Sequence, residues 1–280
     1  PMISPPLADA GALAKVRERG SLIACVDPYN PPFSSNNPGS PGFDVEIADE
    51  IGRSLGFRVT YFWADTGTRG GLGRALRTSI QQRKCDFFMG LPTGSEMEEE
   101  MEEKGLELTR PYFGTGFVLV ARGGAPEIRS LRELKDQKIG VEMTTPADGY
   151  LFYKGYKRAL FRNGREALEA MQKGEVPPPG VSTWISPPPG SPAPSPAPDV
   201  ALLWAPTAGW WIKLHPESGL KLVEGYTPEP EMRWNIAIAV RKEDRDLKEA
   251  INQIIDRLVK SGQVREILAK YGVPFYAPFD

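Results

Sequence analysis

Two cysteines, Cys25 and Cys85, and a single histidine, His215, are the residues of widest chemical range in this 280-residue chain. A side-chain nucleophile needs a base beside it, most often a histidine. His215 precedes Pro216 in a segment read as a loop, so a solvated surface histidine is the expectation. No triad can be assembled around it. One histidine and two cysteines sixty residues apart match neither zinc-ligand spacing nor a C-x-x-C-H haem attachment.

The acidic run Glu96, Glu98, Glu99, Glu100, Glu102 and Glu103 is the next candidate. It lacks the Asp-x-Asp spacing and turn glycine that fold oxygen ligands around calcium or a lanthanide. Met97 and Met101, at i and i+4, predict a solvated helix face with both methionines turned inward. Its charge also makes the run a docking candidate for a basic partner. Gly70-Gly71-x-Gly73 before a helix has neither the Walker lysine nor the dinucleotide spacing, and is read as a tight strand-to-helix turn.

The elements that position these residues follow from periodicity. Each cysteine lies at or beside a predicted strand, Cys25 within Leu22–Val26 and Cys85 just before Asp86–Met89. In a doubly wound sheet these strands are neighbours, within disulfide reach. Two buried free thiols and a bridge both stay open, the bridge being favoured in an oxidising compartment. A helix is expected from Asp9, its N-cap, to Arg19, with Gly20 as its stop. Phe43, Ile47, Ile51 and Leu55 form one helical stripe that ends at Gly56. Phe57–Trp63 reads as a strand. Strand–helix–strand–helix–strand at these lengths implies a parallel sheet with right-handed crossovers. A second α/β pattern includes the strands Lys138–Val141 and Asp199–Leu203, with helix near Ala147–Lys157 and over Arg165–Gln172. Ten prolines between Pro177 and Pro198 predict a polyproline-II-rich surface loop. The strand Trp234–Val240 and two amphipathic helices close the chain.

Composition sets outer limits. A net charge of −2 leaves no basic excess for nucleic acid. No apolar run approaches the roughly 20 residues of a membrane span. The opening Pro1-Met2 shows no leader, and the expectation is a chain whose export segment lies upstream.

This order of elements resembles the type II periplasmic binding proteins, in the branch of polar amino-acid receptors. The matching stretches are the Pro31-Pro32-Phe33 loop, Gly42-Phe43-Asp44-Val45-Glu46, Cys85-Asp86-Phe87, Thr109-Arg110-Pro111-Tyr112-Phe113 and Lys138-Ile139-Gly140-Val141. The resemblance implies an α/β fold of two doubly wound lobes joined by a two-strand hinge, with a ligand cleft between them. Residues 1–116 and 235–280 would form lobe 1. Residues 117–234 would form lobe 2, with the proline-rich loop at 176–198. The cleft would be lined in lobe 1 by Tyr29, Phe33, Trp63, Thr93 and Tyr112. Thr115, Thr144, Thr145, Trp204, Trp210, Arg233 and Trp234 would complete it, giving an aromatic surface with a few polar groups.

Two departures from that branch carry information. Amino-acid receptors clamp the ligand carboxylate with an arginine just after the segment matching Gly90–Ser95, where this chain has Glu96 and its run. They hold the ligand ammonium with an acid after the strand matching Asp199–Leu203, where this chain has Trp204. Such a chain should bind free amino acids poorly. A narrower resemblance is to the MxaJ/XoxJ family of methanol-oxidation operons. It rests on Cys85–Gly94, Thr109–Tyr112, Asp199–Pro206 with its Leu203-Trp204-Ala205-Pro206 stretch, and the ending Tyr271-Gly272-Val273-Pro274. It implies a periplasmic accessory to a pyrroloquinoline-quinone (PQQ) methanol dehydrogenase and its cytochrome c, with a disulfide between Cys25 and Cys85. No cofactor or chemistry of its own is implied. Two other roles stay open. One is a receptor delivering a small molecule to an importer. The other is a dehydratase of this fold, using Glu142 or Asp65 as acid or base.

Overall fold

The computed structural model describes residues 11–123, 127–178 and 188–280. They divide into two compact units, one of residues up to Gly114 with Trp234–Tyr271 and Phe275–Asp280, the other of Thr115–Arg233 with Gly272–Pro274.

In the first unit the strand Ser21–Val26 lies between Arg58–Trp63 and Phe87–Pro92, parallel to both. Phe87–Pro92 then pairs antiparallel with Arg233–Arg241, which also pairs antiparallel with Leu106–Leu108. Helices cover this sheet as the stripes predict. Phe43–Leu55 buries Phe43, Ile47 and Ile51, and Arg245–Lys260 buries Leu247, Ile251, Ile254, Ile255 and Leu258. Cys25 and Cys85 form a disulfide inside this core, packed with Leu76, Ile80, Phe88 and Met101. That settles the choice left open between bridge and free thiols.

The first helix runs from Ala12 to Arg19 with Gly11 at its N-cap position. Asp9, expected as its cap, lies outside the described residues. The amides of Ala12 and Leu13 donate to the carboxylate of Asp246, at 3.1 and 3.0 Å.

In the second unit Val200–Trp204 is antiparallel to Phe113–Arg122 and parallel to Ile139–Glu142, which is followed at the edge by Arg158–Phe161. The helix expected near Ala147–Lys157 stops at Tyr153, and Arg158–Phe161 is a strand the periodicity did not reveal. The proline-rich loop falls partly outside the described residues, at 179–187. Its described base is a short antiparallel pairing of Glu175–Val176 with Ser195–Pro196, rather than polyproline-II throughout. Proline is tolerated there because a two-residue edge pairing leaves room for a missing N–H.

Candidate functional site

A pocket of about 130 Å³ opens in the first unit, where three parallel strands present their carboxyl ends. Asp27 follows the strand Ser21–Val26, Thr66 follows Arg58–Trp63, and Met89, Gly90 and Leu91 belong to Phe87–Pro92. Ligands of open α/β sheets bind at these ends, because the strand-to-helix turns there offer main-chain groups and variable side chains.

Asp27 is buried, and its two oxygens are held from separate directions. Oδ1 accepts the Tyr29 amide at 2.8 Å. Oδ2 accepts the Thr66 amide at 3.0 Å and also the Thr66 hydroxyl. Those donors fix the carboxylate beside the pocket without a cationic partner.

Asp44 is the second carboxyl of the lining, placed by the first turn of the helix Phe43–Leu55. The loop before that helix is latched to it, the Phe43 and Asp44 amides donating to the Pro32 and Phe33 carbonyls at 2.9 and 2.8 Å. Gly42 permits this approach, since its φ is +98° and a Cβ there would lie 2.4 Å from the Phe33 oxygen. The Tyr112 hydroxyl donates to Asp44 Oδ1 at 2.5 Å. Burial pushes the Asp44 carboxyl up to about 7, and the Tyr112 hydrogen bond opposes part of that rise. The pocket thus joins an anchored carboxylate to a carboxyl that exchanges its proton near neutral pH. No lysine, arginine or histidine is among the described residues lining it. Such a lining suits a small donor-rich or cationic group, and it disfavours a carboxylate.

The residues expected to line a cleft are distributed unevenly. Tyr29 and Trp63 are exposed, at 70% and 42%, and Trp63 stacks on Tyr61 with ring centroids 6.0 Å apart. Thr93 is half-buried, its amide on the Asn235 carbonyl at 2.8 Å. Three of them are buried. Phe33 is a core residue against Phe43, 4.6 Å between centroids. Tyr112 is fully buried because it serves Asp44, and Thr115 is also fully buried, so neither offers a surface to a ligand.

In the second unit Trp204 is half-buried beside Phe117, and Trp210 and Arg233 are also half-buried. Trp234, in the first unit, is half-buried too. Thr144 is exposed and holds a left-handed φ of 64°, a costly conformation for a β-branched residue. Thr145 caps the helix Pro146–Tyr153 by accepting the Asp148 amide. Glu142 accepts the Gly164 amide at 3.0 Å, at the start of the helix Gly164–Lys173.

His215 is half-buried rather than solvated. Its Nδ1 lies 2.8 Å from the Trp211 carbonyl and its ring stacks on the Trp211 indole. The acidic run forms the helix Ser95–Glu103, with Met101 buried and Glu102 paired to Lys242. Among the described residues no group of three or more His, Cys, Asp or Glu side chains is placed to hold a metal ion. None of their helices is long and apolar enough to cross a membrane.

Sequence reading missed the pocket itself. Asp44 stands in the Gly42–Glu46 stretch, yet nothing local marks Asp27, Ser34, Thr66 or Gly90 as its neighbours.

The model of bacterial extracellular solute-binding proteins, family 3, matches residues 22–274. The chain belongs to this family. The L-cystine-binding protein TcyJ of Escherichia coli K12 is 27% identical over 147 residues, 51% of this chain and 51% of its own length. The chain therefore spans about half the length of the curated relatives it matches. Among solved structures, the L-cystine solute receptor of Neisseria gonorrhoeae in its unliganded open conformation aligns with TM-score 0.71 at 16% identity, over 96% of this chain and all of that one. An ancestral cationic amino acid solute-binding protein aligns with TM-score 0.65 at 22% identity, over 93% and 99%. At these identities the structural matches establish the two-lobe α/β binding-protein fold. Family 3 is a family of solute-binding proteins, and its description places it outside the cytoplasm.

Proposed function

We propose that this chain is a non-catalytic periplasmic accessory protein of a PQQ-dependent methanol dehydrogenase system. The dehydrogenase would hold calcium or a lanthanide, and the chain would contact the dehydrogenase, its cytochrome c, or both. One observation carries the reading. Where the resemblance to amino-acid receptors expects two charged anchors for a zwitterion, this chain has the glutamate-rich helix Ser95–Glu103 and, at the end of Val200–Trp204, Trp204. A ligand carboxylate arriving near that helix meets repulsion, and a ligand ammonium at Trp204 meets an indole. Such a protein acts by binding one state of its partner better than another, which shifts that population without chemistry of its own. The disulfide suits an oxidising compartment. The test is binding of the purified dehydrogenase and of its cytochrome at low ionic strength. Micromolar or tighter binding that weakens with salt supports the reading, and no interaction with either overturns it.

A second reading is favoured by the pocket of Asp27 and Asp44, which lacks a basic lining residue. An importer receptor for a small amine-bearing solute would use that pair to hold the amine. The relatives named for cystine and cationic amino acids are consistent with it. A screen of amines by thermal shift separates the two, since a true ligand raises the melting temperature progressively as its concentration exceeds its dissociation constant.

A further inference from the structure

Seven large hydrophobic side chains are exposed among the described residues, and four of them, Met143, Phe152, Tyr153 and Leu160, fall within eighteen positions of the second unit. Phe152 and Tyr153 end the helix Pro146–Tyr153 at 59% and 85% exposure, their rings edge to face with centroids 5.4 Å apart. Leu160 lies on the strand Arg158–Phe161, which ends the sheet and is registered on its inner side with Ile139–Glu142. An aromatic pair beside an open strand edge is a costly thing to leave in water.

The surroundings of the pair are basic. From position 149 to 165 the sequence holds five lysines and arginines and no acid. Arg158, Arg162 and Arg165 are each paired with a carboxylate, Asp148, Glu166 and Glu169. The lysines are placed differently. Lys135 donates to the Lys154 carbonyl at 2.6 Å and Lys157 donates to the Asp136 carbonyl at 3.2 Å. Main-chain oxygens orient these two ammonium groups without cancelling their charge, and Lys154 follows Tyr153 directly in the chain and lies over the Tyr150 ring, so lysine charge adjoins the segment that carries the aromatic pair. Glu229 and Glu231 lie close enough to raise the Tyr150 hydroxyl, and Glu229 also the Tyr156 hydroxyl, after burial as the first cause in both.

We infer that this aromatic face with its adjoining lysines docks an acidic protein surface, Phe152 and Tyr153 supplying the apolar anchor. The inference deepens the accessory reading above and rests on it, the partner being the dehydrogenase. Interfaces draw most of their energy from a few aromatic anchors, with charged rims governing encounter rate. The helix Ser95–Glu103 presents charge without such an anchor, since Met101 is buried and Met97 is half-buried.

The experiment titrates purified PQQ-dependent methanol dehydrogenase into the full chain by calorimetry at low and physiological salt. Three proteins are compared with wild type: Phe152→Ser with Tyr153→Ser, Lys154→Glu with Lys157→Glu, and Glu98→Gln with Glu99→Gln. All six positions are exposed, so melting temperatures should match wild type. The aromatic pair should weaken binding on the order of tenfold or more. The lysine reversal should weaken it comparably and flatten its salt dependence, and the glutamine pair should leave it unchanged. Wild-type binding that the aromatic variant retains overturns this inference alone. An absence of wild-type binding overturns the accessory reading, and this inference with it. Self-association, or adsorption to phosphatidylglycerol vesicles, that the aromatic variant abolishes while dehydrogenase binding persists assigns the face to another occupant and also overturns it.

Discussion

Tyr112 donates its hydroxyl to Asp44 across 2.5 Å in an interior where both side chains are nearly or wholly out of water. Sixty-eight positions separate them in sequence. Their pairing makes the fold sensitive to pH. Asp44 has an ordinary value of 3.8, and in the fold burial lifts it to about 7. A raised carboxyl favours the fold most at low pH. As pH climbs from about 4 to 7 the unfolded chain releases its proton while the folded chain retains it. Stability therefore falls, by roughly 1.4 kcal/mol per pH unit and about 4 kcal/mol in all. Asp44→Asn should remove this slope and gain on wild type with rising pH. Denaturant melts from pH 4 to 8 would show it, and parallel curves for the two proteins would refute it.

Tyr112→Phe tests the same pair from the donor side. Deleting the hydroxyl leaves a buried carboxyl without its partner, at a cost of roughly 1–3 kcal/mol. The lost bond favoured the ionised form, so the Asp44 midpoint should rise further. A carboxyl resonance followed by NMR titration reads that midpoint directly. An unmoved or lower midpoint would contradict the assignment.

Gly90 is held to glycine by the same carboxyl. Its φ is +82°, and a Cβ there would stand 2.6 Å from Asp44 Oδ2. Gly90→Ala must strain the backbone and displace Asp44, costing on the order of 2–3 kcal/mol. Gly20→Ala is the control, since that glycine has a similar φ of +79° with nothing within 4 Å of the added carbon. Chemical melts should rank Gly90→Ala clearly below it.

Why some of this was legible in sequence and some was not follows from range. The helix Phe43–Leu55 and its stop at Gly56 are written in consecutive residues, as is Arg245–Lys260. The acceptor of the Ala12 and Leu13 amides is not, because Asp246 comes from over two hundred positions away. Arg158–Phe161 hides in a basic segment since an edge strand need not show an apolar run. Tyr112 reads as a cleft-lining aromatic until Asp44 is brought to it. The pocket of Asp27, Thr66 and Asp44 required three strand ends to be assembled first.

The disulfide offers the largest expected change. Cys25 and Cys85 are buried at 0% and 1% exposure, and their bridge closes a sixty-residue loop. In the chain-entropy account such a loop is worth about 4 kcal/mol. Cys25→Ser with Cys85→Ser would lose this and place two hydroxyls among Leu76, Ile80 and Phe88. Cys25→Ala with Cys85→Ala removes the bridge without that polar burden, and should therefore be the more stable of the two variants. Melts of both against oxidised wild type separate the contributions. Should the alanine pair melt with wild type, the bridge contributes nothing to stability, and packing around Cys25 alone holds the two strands.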